Sequence, residues 1–144
     1  MSSAALSRFM PAQAPVPSAL PEPALSALRA VAARSRLDPR SDIEATCQLL
    51  RSDPGQAAEA YARALLRAVS HALGRPVRFH RPGVTAVTFD EAWVMRLLGS
   101  LRNGDLDSAL FCIGSQIPRE RRASVRFLAG ALADRLDILC LEPL

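Results

Sequence analysis

Helix start and stop signals recur along this sequence and divide it into short segments. Residues 41–44 and 88–91 are both capping boxes, in which a Ser or Thr hydroxyl can accept the amide of a Glu three residues later and the Glu carboxylate can accept an amide in return. An aspartate followed by proline at 53–54 is a third start signal, since proline suits the first position of a helix. Gly74 and Gly104 supply the left-handed residue that commonly closes a helix. These signals predict several helices joined by short links.

Apolar residues between these signals recur three or four residues apart, which is the spacing of one helix face. In the last segment they are Val125, Leu128, Leu132, Leu136 and Leu139. The periodicity predicts an all-α fold, an irregular bundle of five or six helices. The predicted helices span residues 23–36, 41–51, 54–73, 88–102, 105–115 and 118–139.

Two stretches lack the helical period. Residues 1–22 contain four prolines, which forbid a continuous helix, and we expect a disordered Pro/Ala-rich tail followed by a single helical domain over residues 23–144. Near residues 76–87, apolar and polar residues alternate around Pro82 and Gly83, which predicts one short extended segment or a two-stranded ribbon. A Pro-Gly pair favours a type II turn, whose twist suits a two-residue hairpin poorly, so both alternatives stay open.

Composition excludes several classes of protein. A chain of 144 residues with 49% hydrophobic and 22% charged residues has the balance of a globular protein, and no apolar run reaches the roughly 20 residues of a membrane span. The first twenty residues lack the continuous apolar stretch of a secretory signal. Three cysteines cannot all pair within one chain, and no Cys or His spacing matches a metal site. We therefore expect a cytoplasmic protein with reduced thiols and no metal or cofactor.

No catalytic motif is recognisable. The sequence has no nucleophile elbow, Walker loop, dinucleotide fingerprint or HExxH motif, and it has no lysine for Schiff-base chemistry. His71 and His80 stand apart from any nucleophile signature. The close acidic pairs, at 90–91 and at 105 with 107, lie in the first turns of predicted helices, where the helix dipole stabilises negative charge. We therefore predict a non-enzymatic protein without catalytic residues.

All 18 basic residues are arginines, a usage that a bacterial-like, GC-rich coding sequence produces without selection on charge. Their positions are therefore more informative than the net charge of +4. Arg119, Arg121 and Arg122 lie in the first turn of the last predicted helix, where the helix dipole disfavours cations, and Arg126 follows one turn later. This placement predicts a surface for an anionic group. The alternative is neutralisation by neighbouring acidic side chains.

Arg75, Arg78 and Arg81 surround Phe79 in a second basic stretch. Basic residues interleaved with an aromatic ring are typical of single-strand binding loops, in which cations follow phosphates and the ring stacks on a base. The alternative is that Phe79 points inward and the arginines are solvated. If both basic stretches lie on one side of the folded domain, nucleic-acid binding gains support.

The predicted helix at 88–102 is apolar over about half of its circumference. Such a helix is either central in the bundle or half-covered by a partner, and its tryptophan is of a type favoured at interface hot spots. We therefore predict a small regulatory or interaction protein that binds another protein, or a second copy of itself, through helical surfaces. The candidate contacts are Trp93, Leu101, Arg119, Arg122 and Arg126. The alternative function is nucleic-acid binding by the arginines of residues 75–81 and 119–126.

Overall fold

The computed structural model of the chain describes residues 20–21, 23–37 and 54–141. These residues form six α-helices and one short 3-10 helix, and no strand occurs among them. The prediction of an irregular all-α bundle is confirmed, while the predicted helix at 41–51 and most of the predicted tail lie outside the described residues. The helices are α1 (Ala24–Leu37), α2 (Pro54–Leu73), α3 (Phe89–Arg102), α4 (Leu106–Gln116), α5 (Arg122–Ala133) and α6 (Leu136–Leu141), with the 3-10 helix Arg119–Arg121 between α4 and α5.

The start and stop signals operate as the sequence predicts. The Thr88 hydroxyl accepts the amide of Glu91 at 3.0 Å, and the Glu91 carboxylate accepts the amide of Thr88 at 2.9 Å. The carboxylate of Asp105 accepts the amide of Ser108 at 3.1 Å at the start of α4. Gly74 has a φ of 71°, in the left-handed region that favours glycine. These local contacts set the helix ends to within a residue or so of the predicted ones.

The last predicted helix, over residues 118–139, is wrong as a single element. The chain turns at Asp134 and Arg135, where the Arg135 amide donates to the Leu132 carbonyl at 2.9 Å with the tighter spacing of a 3-10 turn. The turn redirects α6, whose Leu136 and Leu139 are buried where α6 packs against α1 and α2. The apolar spacing continues through the turn, and so it could not reveal the break.

One hydrophobic core runs through the described residues. Helix α5 packs against both α2 and α3, α1 covers α2, and α4 covers α3. Leucines and an isoleucine from all six α-helices are fully buried in this core, namely Leu28, Leu65, Leu97, Ile113, Leu132 and Leu136. No helix among the described residues has both the length and the apolar character needed to cross a membrane.

Residues 74–88 link α2 to α3 without helix or paired strand, so the two-stranded ribbon is wrong. We call this stretch the linking segment. At the other end of the chain, Leu20 is half-buried and packs beside Gly99 on α3, although the sequence assigns it to the tail. Ordered structure therefore begins before residue 23.

Candidate functional site

An ion pair buried between α1 and α3 organises the linking segment. The Arg29 Nε donates to Glu91 Oε2 at 2.6 Å, and its Nη2 donates to Oε1 at 3.1 Å. Both side chains are buried, and the two residues are 62 positions apart in the sequence. The two parallel hydrogen bonds give this pair the fork geometry that makes arginine–carboxylate contacts strong and directional.

The remaining hydrogen-bonding capacity of this pair fixes the path of the linking segment. The guanidinium donates to the carbonyls of Val84 at 2.6 Å and Ala86 at 2.8 Å. The carboxylate accepts the amides of His80 at 3.0 Å and Thr88 at 2.9 Å. A buried ion pair is stable only when its other donors and acceptors are satisfied, and here backbone groups of the segment satisfy them. The segment thus has a defined path without secondary structure of its own.

A second ion pair joins the start of the linking segment to α3. The Asp90 carboxylate accepts both Nη groups of Arg75, at 2.7 and 3.0 Å, and the backbone amide of Arg78 at 2.8 Å. Arg75 is therefore engaged within the fold. The acidic pair at 90–91 lies in the first turn of α3, as the sequence predicts. The same pair also holds the linking segment against α3.

Both of these carboxyls have a lowered pKa. The hydrogen bond from Arg75 is the main cause for Asp90, and it outweighs the opposing effect of burial. Burial is the largest influence on Glu91 and raises its pKa, but the hydrogen bonds from Arg29, Thr88 and His80 together overcome it. Both groups therefore stay ionised in the folded protein at neutral pH.

Trp93 lies inside the bundle. Its side chain is 4% exposed, and its indole Nε1 donates to the carbonyl of Cys112 on α4 at 2.9 Å. Leu101 is partly buried against the same core. The broad apolar surface of α3 is explained by its contacts with α4 and α5, so the expectation that Trp93 is an exposed partner contact is wrong.

Phe79 is also a core residue and cannot stack on a nucleic-acid base. Its carbonyl accepts a hydrogen bond from Arg36 at 2.8 Å, which ties the linking segment to α1. The stacking role suggested for this ring is therefore wrong. The arginines on either side of it, Arg78 and Arg81, are exposed as that hypothesis requires.

The arginines near residue 120 are of two kinds. The Arg122 Nε donates to the Ile117 carbonyl at 2.8 Å, just beyond the end of α4, so this cation caps a helix C-terminus. Arg119, Arg121 and Arg126 are exposed, and none of them pairs with a carboxylate among the described residues. Neutralisation by neighbouring acidic side chains therefore does not explain these three within the described chain.

Both basic stretches follow helix ends that meet at one small pocket. A small pocket is lined by Leu73 at the end of α2, Phe89 at the start of α3 and Gln116 at the end of α4. The linking segment leaves α2 at this pocket, and the 3-10 helix begins three residues after Gln116. We call the exposed arginines that follow the pocket in both stretches the arginine end, which comprises Arg78, Arg81, Arg119 and Arg121.

Helix α4 exposes three of its four large apolar side chains. It turns Ala109, Cys112 and Ile113 toward the core. Its outer side carries Leu106 and Leu110, each 42% exposed, and Phe111, which is 81% exposed. Leu110 and Phe111 are adjacent and so stand about 100° apart on the helix.

Gly114 lies one turn after Leu110 on the outer side of α4. A Cβ added there would meet nothing within 4 Å, and the backbone is not left-handed. Glycine inside a helix costs about 0.5–1 kcal/mol relative to alanine, and no contact within the described chain accounts for that cost. We call Leu106, Leu110, Phe111 and Gly114 the α4 face.

A groove of about 360 Å³ runs beside Phe111. Arg96 of α3 and Asp107 of α4 line it, together with Ser108 and Ser115. The α4 face therefore has an apolar centre with charges of both signs at its edge. This is the usual composition of a protein-binding surface.

The thiols and acidic groups form no metal-binding cluster in the part of the chain that the structure describes. No group of three His, Cys, Asp or Glu residues there could hold a metal ion. Burial raises the pKa of the Cys112 and Cys140 thiols, which makes them poor nucleophiles, and Cys47 lies outside the described residues.

No protein-family model, curated protein or solved structure matches this chain.

Removal of Arg29 should destabilise the protein far more than removal of an exposed arginine. Arg29→Met leaves the Glu91 carboxylate buried without its cation, and breaking a buried pair in this way costs about 3–5 kcal/mol. Arg102→Met is the matched control, because its partner Asp137 is largely exposed and such pairs contribute about 0–1 kcal/mol. Urea unfolding measures both. Equal losses would contradict the organising role of the buried pair.

Acid should destabilise the fold through the same carboxyls. Because the pKa of Asp90 and of Glu91 is lower in the folded than in the unfolded chain, their stabilisation is complete above the ordinary carboxyl pKa of about 4. It is lost as the pH falls through the folded values. Urea unfolding between about pH 7 and about pH 3 should show this decline. Asp90→Asn should make it shallower, and an unchanged pH dependence in that variant would exclude Asp90 as a source.

Proposed function

We propose that this protein is a non-enzymatic, regulatory interaction protein of the cytoplasm that docks a helix of another protein on the α4 face. The observation that carries the proposal is the exposure of Leu106, Leu110 and Phe111 along one helix. Apolar anchors at helical spacing are what an amphipathic partner helix recognises. Burial of three large apolar side chains supplies the main driving force for such docking.

The attachment of α4 to the bundle supports this role. The Trp93 indole donates to a carbonyl near the middle of α4, and Arg122 donates to the Ile117 carbonyl that follows its end. A helix held at both places keeps its exposed side chains in register before the partner arrives. Such preorganisation lowers the entropic cost of binding.

Gly114 and the neighbouring charges support a helical partner in particular. The missing side chain at Gly114 lets a partner backbone approach α4 closely. Arg96 and Asp107 beside Phe111 can pair with charges on the partner, which favours one orientation of the docked helix over the other.

A photo-crosslinking residue at position 111 should capture one partner protein in the cells of origin. Benzoylphenylalanine resembles the phenylalanine that it replaces, and Phe111 is exposed, so the fold should be unaffected. Position 124 on α5, an exposed serine, is the control site. We expect one dominant crosslinked protein at position 111 and none in common with position 124. Crosslinks between two copies of this chain would assign the face to a homodimer, and identical products at both sites would contradict specific docking.

Alanine variants of two glycines distinguish, in the same crosslinking assay, an effect on docking from an effect on helix stability. Alanine at Gly114 or at Gly130 of α5 should stabilise its helix by about 0.5–1 kcal/mol, since neither position is left-handed or crowded. Only Gly114→Ala should weaken the crosslink at position 111. Equal crosslinking in the two variants would show that no partner backbone approaches Gly114.

Nucleic-acid binding by the arginine end is a second candidate function. One observation favours it, because both basic stretches follow helix ends that line one pocket with Phe89, and Phe89 is 66% exposed. An exposed ring among arginines can stack on a base while the arginines contact phosphates. Phe89 thus supplies the stacking surface that Phe79 does not.

Salt dependence tests this second function. If the arginine end binds single strands, replacing Arg119 and Arg121 by glutamine should reduce the slope of log affinity against log salt by about 0.7 for each arginine. Fluorescence anisotropy with a labelled mixed-sequence oligonucleotide measures the slope. Arg96→Gln, which removes one positive charge at the middle of α3, should leave it unchanged. Absence of binding at physiological salt would remove this candidate and leave protein docking.

A further inference from the structure

A cavity of about 220 Å³ lies between α1, α2 and the linking segment, away from the α4 face. Its walls are apolar, with contributions from Ala32, Leu66, Val77 and Phe79. Three arginines line the same cavity, and none of its described lining residues is acidic. These arginines are Arg36 at the end of α1 and Arg63 and Arg67 on α2.

Two of these arginines, Arg36 and Arg63, retain capacity to bind an anion. Arg36 uses its Nη2 on the neutral carbonyl of Phe79, so its charge has no counterion among the described residues. The Arg63 Nη2 shares the carboxylate of Glu59 with Arg34, at 3.2 and 2.8 Å, and its Nε is buried without a hydrogen-bond partner in the described chain. A buried donor left in this state is costly, and an anion nearby would lower that cost.

We propose that this cavity binds a small organic anion, consisting of one aromatic ring or a short alkyl chain with a carboxylate or phosphate group. The apolar walls would take the body of the ligand, and the arginines would take its head group, because a guanidinium binds carboxylate and phosphate oxygens through paired hydrogen bonds. The size fits a ligand of this kind. An apolar cavity of about 150 Å³ accepts benzene, whereas pockets for larger ligands start near 300 Å³.

The position of the cavity gives binding a consequence that can be measured. Its lining comes from three parts of the chain, with Arg36 on α1, Arg67 on α2 and Phe79 on the linking segment. A ligand that contacts all three stabilises only the state in which they are assembled. Ligand binding should therefore raise the thermal unfolding midpoint in step with ligand concentration.

Calorimetric titration of the full chain with four matched compounds tests the proposal. Benzoate and phenyl phosphate carry both a ring and a charge, benzyl alcohol carries the ring alone, and inorganic phosphate carries the charge alone. We expect one-to-one binding of benzoate or phenyl phosphate, with the tighter of the two identifying the head group. Both controls should bind at least about tenfold more weakly, since each loses one of the two recognition elements. Equal binding of benzyl alcohol, or no binding of any compound, would overturn the proposal.

Two variants locate the binding. Arg36→Gln should weaken binding by about tenfold or more, and Ala32→Leu should abolish it by filling the cavity while every charge is kept. Arg81→Gln, an equal loss of charge at an exposed position outside the cavity, should have no effect. Equal weakening by both arginine variants would indicate non-specific attraction and overturn the proposal.

Discussion

The buried contact between Arg29 and Glu91 determines the path of the chain between α2 and α3. The fifteen residues of the linking segment have neither helix nor strand, so they satisfy few of their own backbone groups, and unpaired buried amides and carbonyls are costly. The guanidinium supplies donors for two carbonyls of the segment and the carboxylate accepts two of its amides. One ion pair thus replaces the hydrogen bonds that a strand partner would provide.

Two of the surfaces described above depend on this arrangement. The linking segment contributes Phe79 to the wall of the arginine-lined cavity and Arg78 to the arginine end. The α4 face is independent of it, because α4 is attached to α3 through the hydrogen bond from Trp93. The apolar α4 face and the basic surfaces are therefore held by different contacts.

Local signals predicted much of this fold, and long-range contacts account for what they missed. Capping residues and glycines act within one turn, so the ends of α1 to α4 were predictable from neighbouring residues alone. Arg29 stands among apolar residues of a helix and its partner is 62 positions away, so no local pattern could identify the buried pair. The burial of Trp93 likewise depends on where α4 and α5 pack. For the candidate site, the sequence could predict that arginines are exposed. It could not predict which side of α4 faces outward, because that depends on which stripe of the helix packs against the core.

The wide sequence separation of the buried pair also orders the events of folding. Closing a loop of that length costs conformational entropy before the contact is made, whereas the turn joining α3 to α4 needs only neighbouring residues. The carbonyls of Val84 and Ala86 can therefore gain their partner on Arg29 only when α1 meets α3. Its amide protons at His80 and Thr88 are held by the same carboxylate. Their exchange with solvent therefore reports detachment of the linking segment from the start of α3.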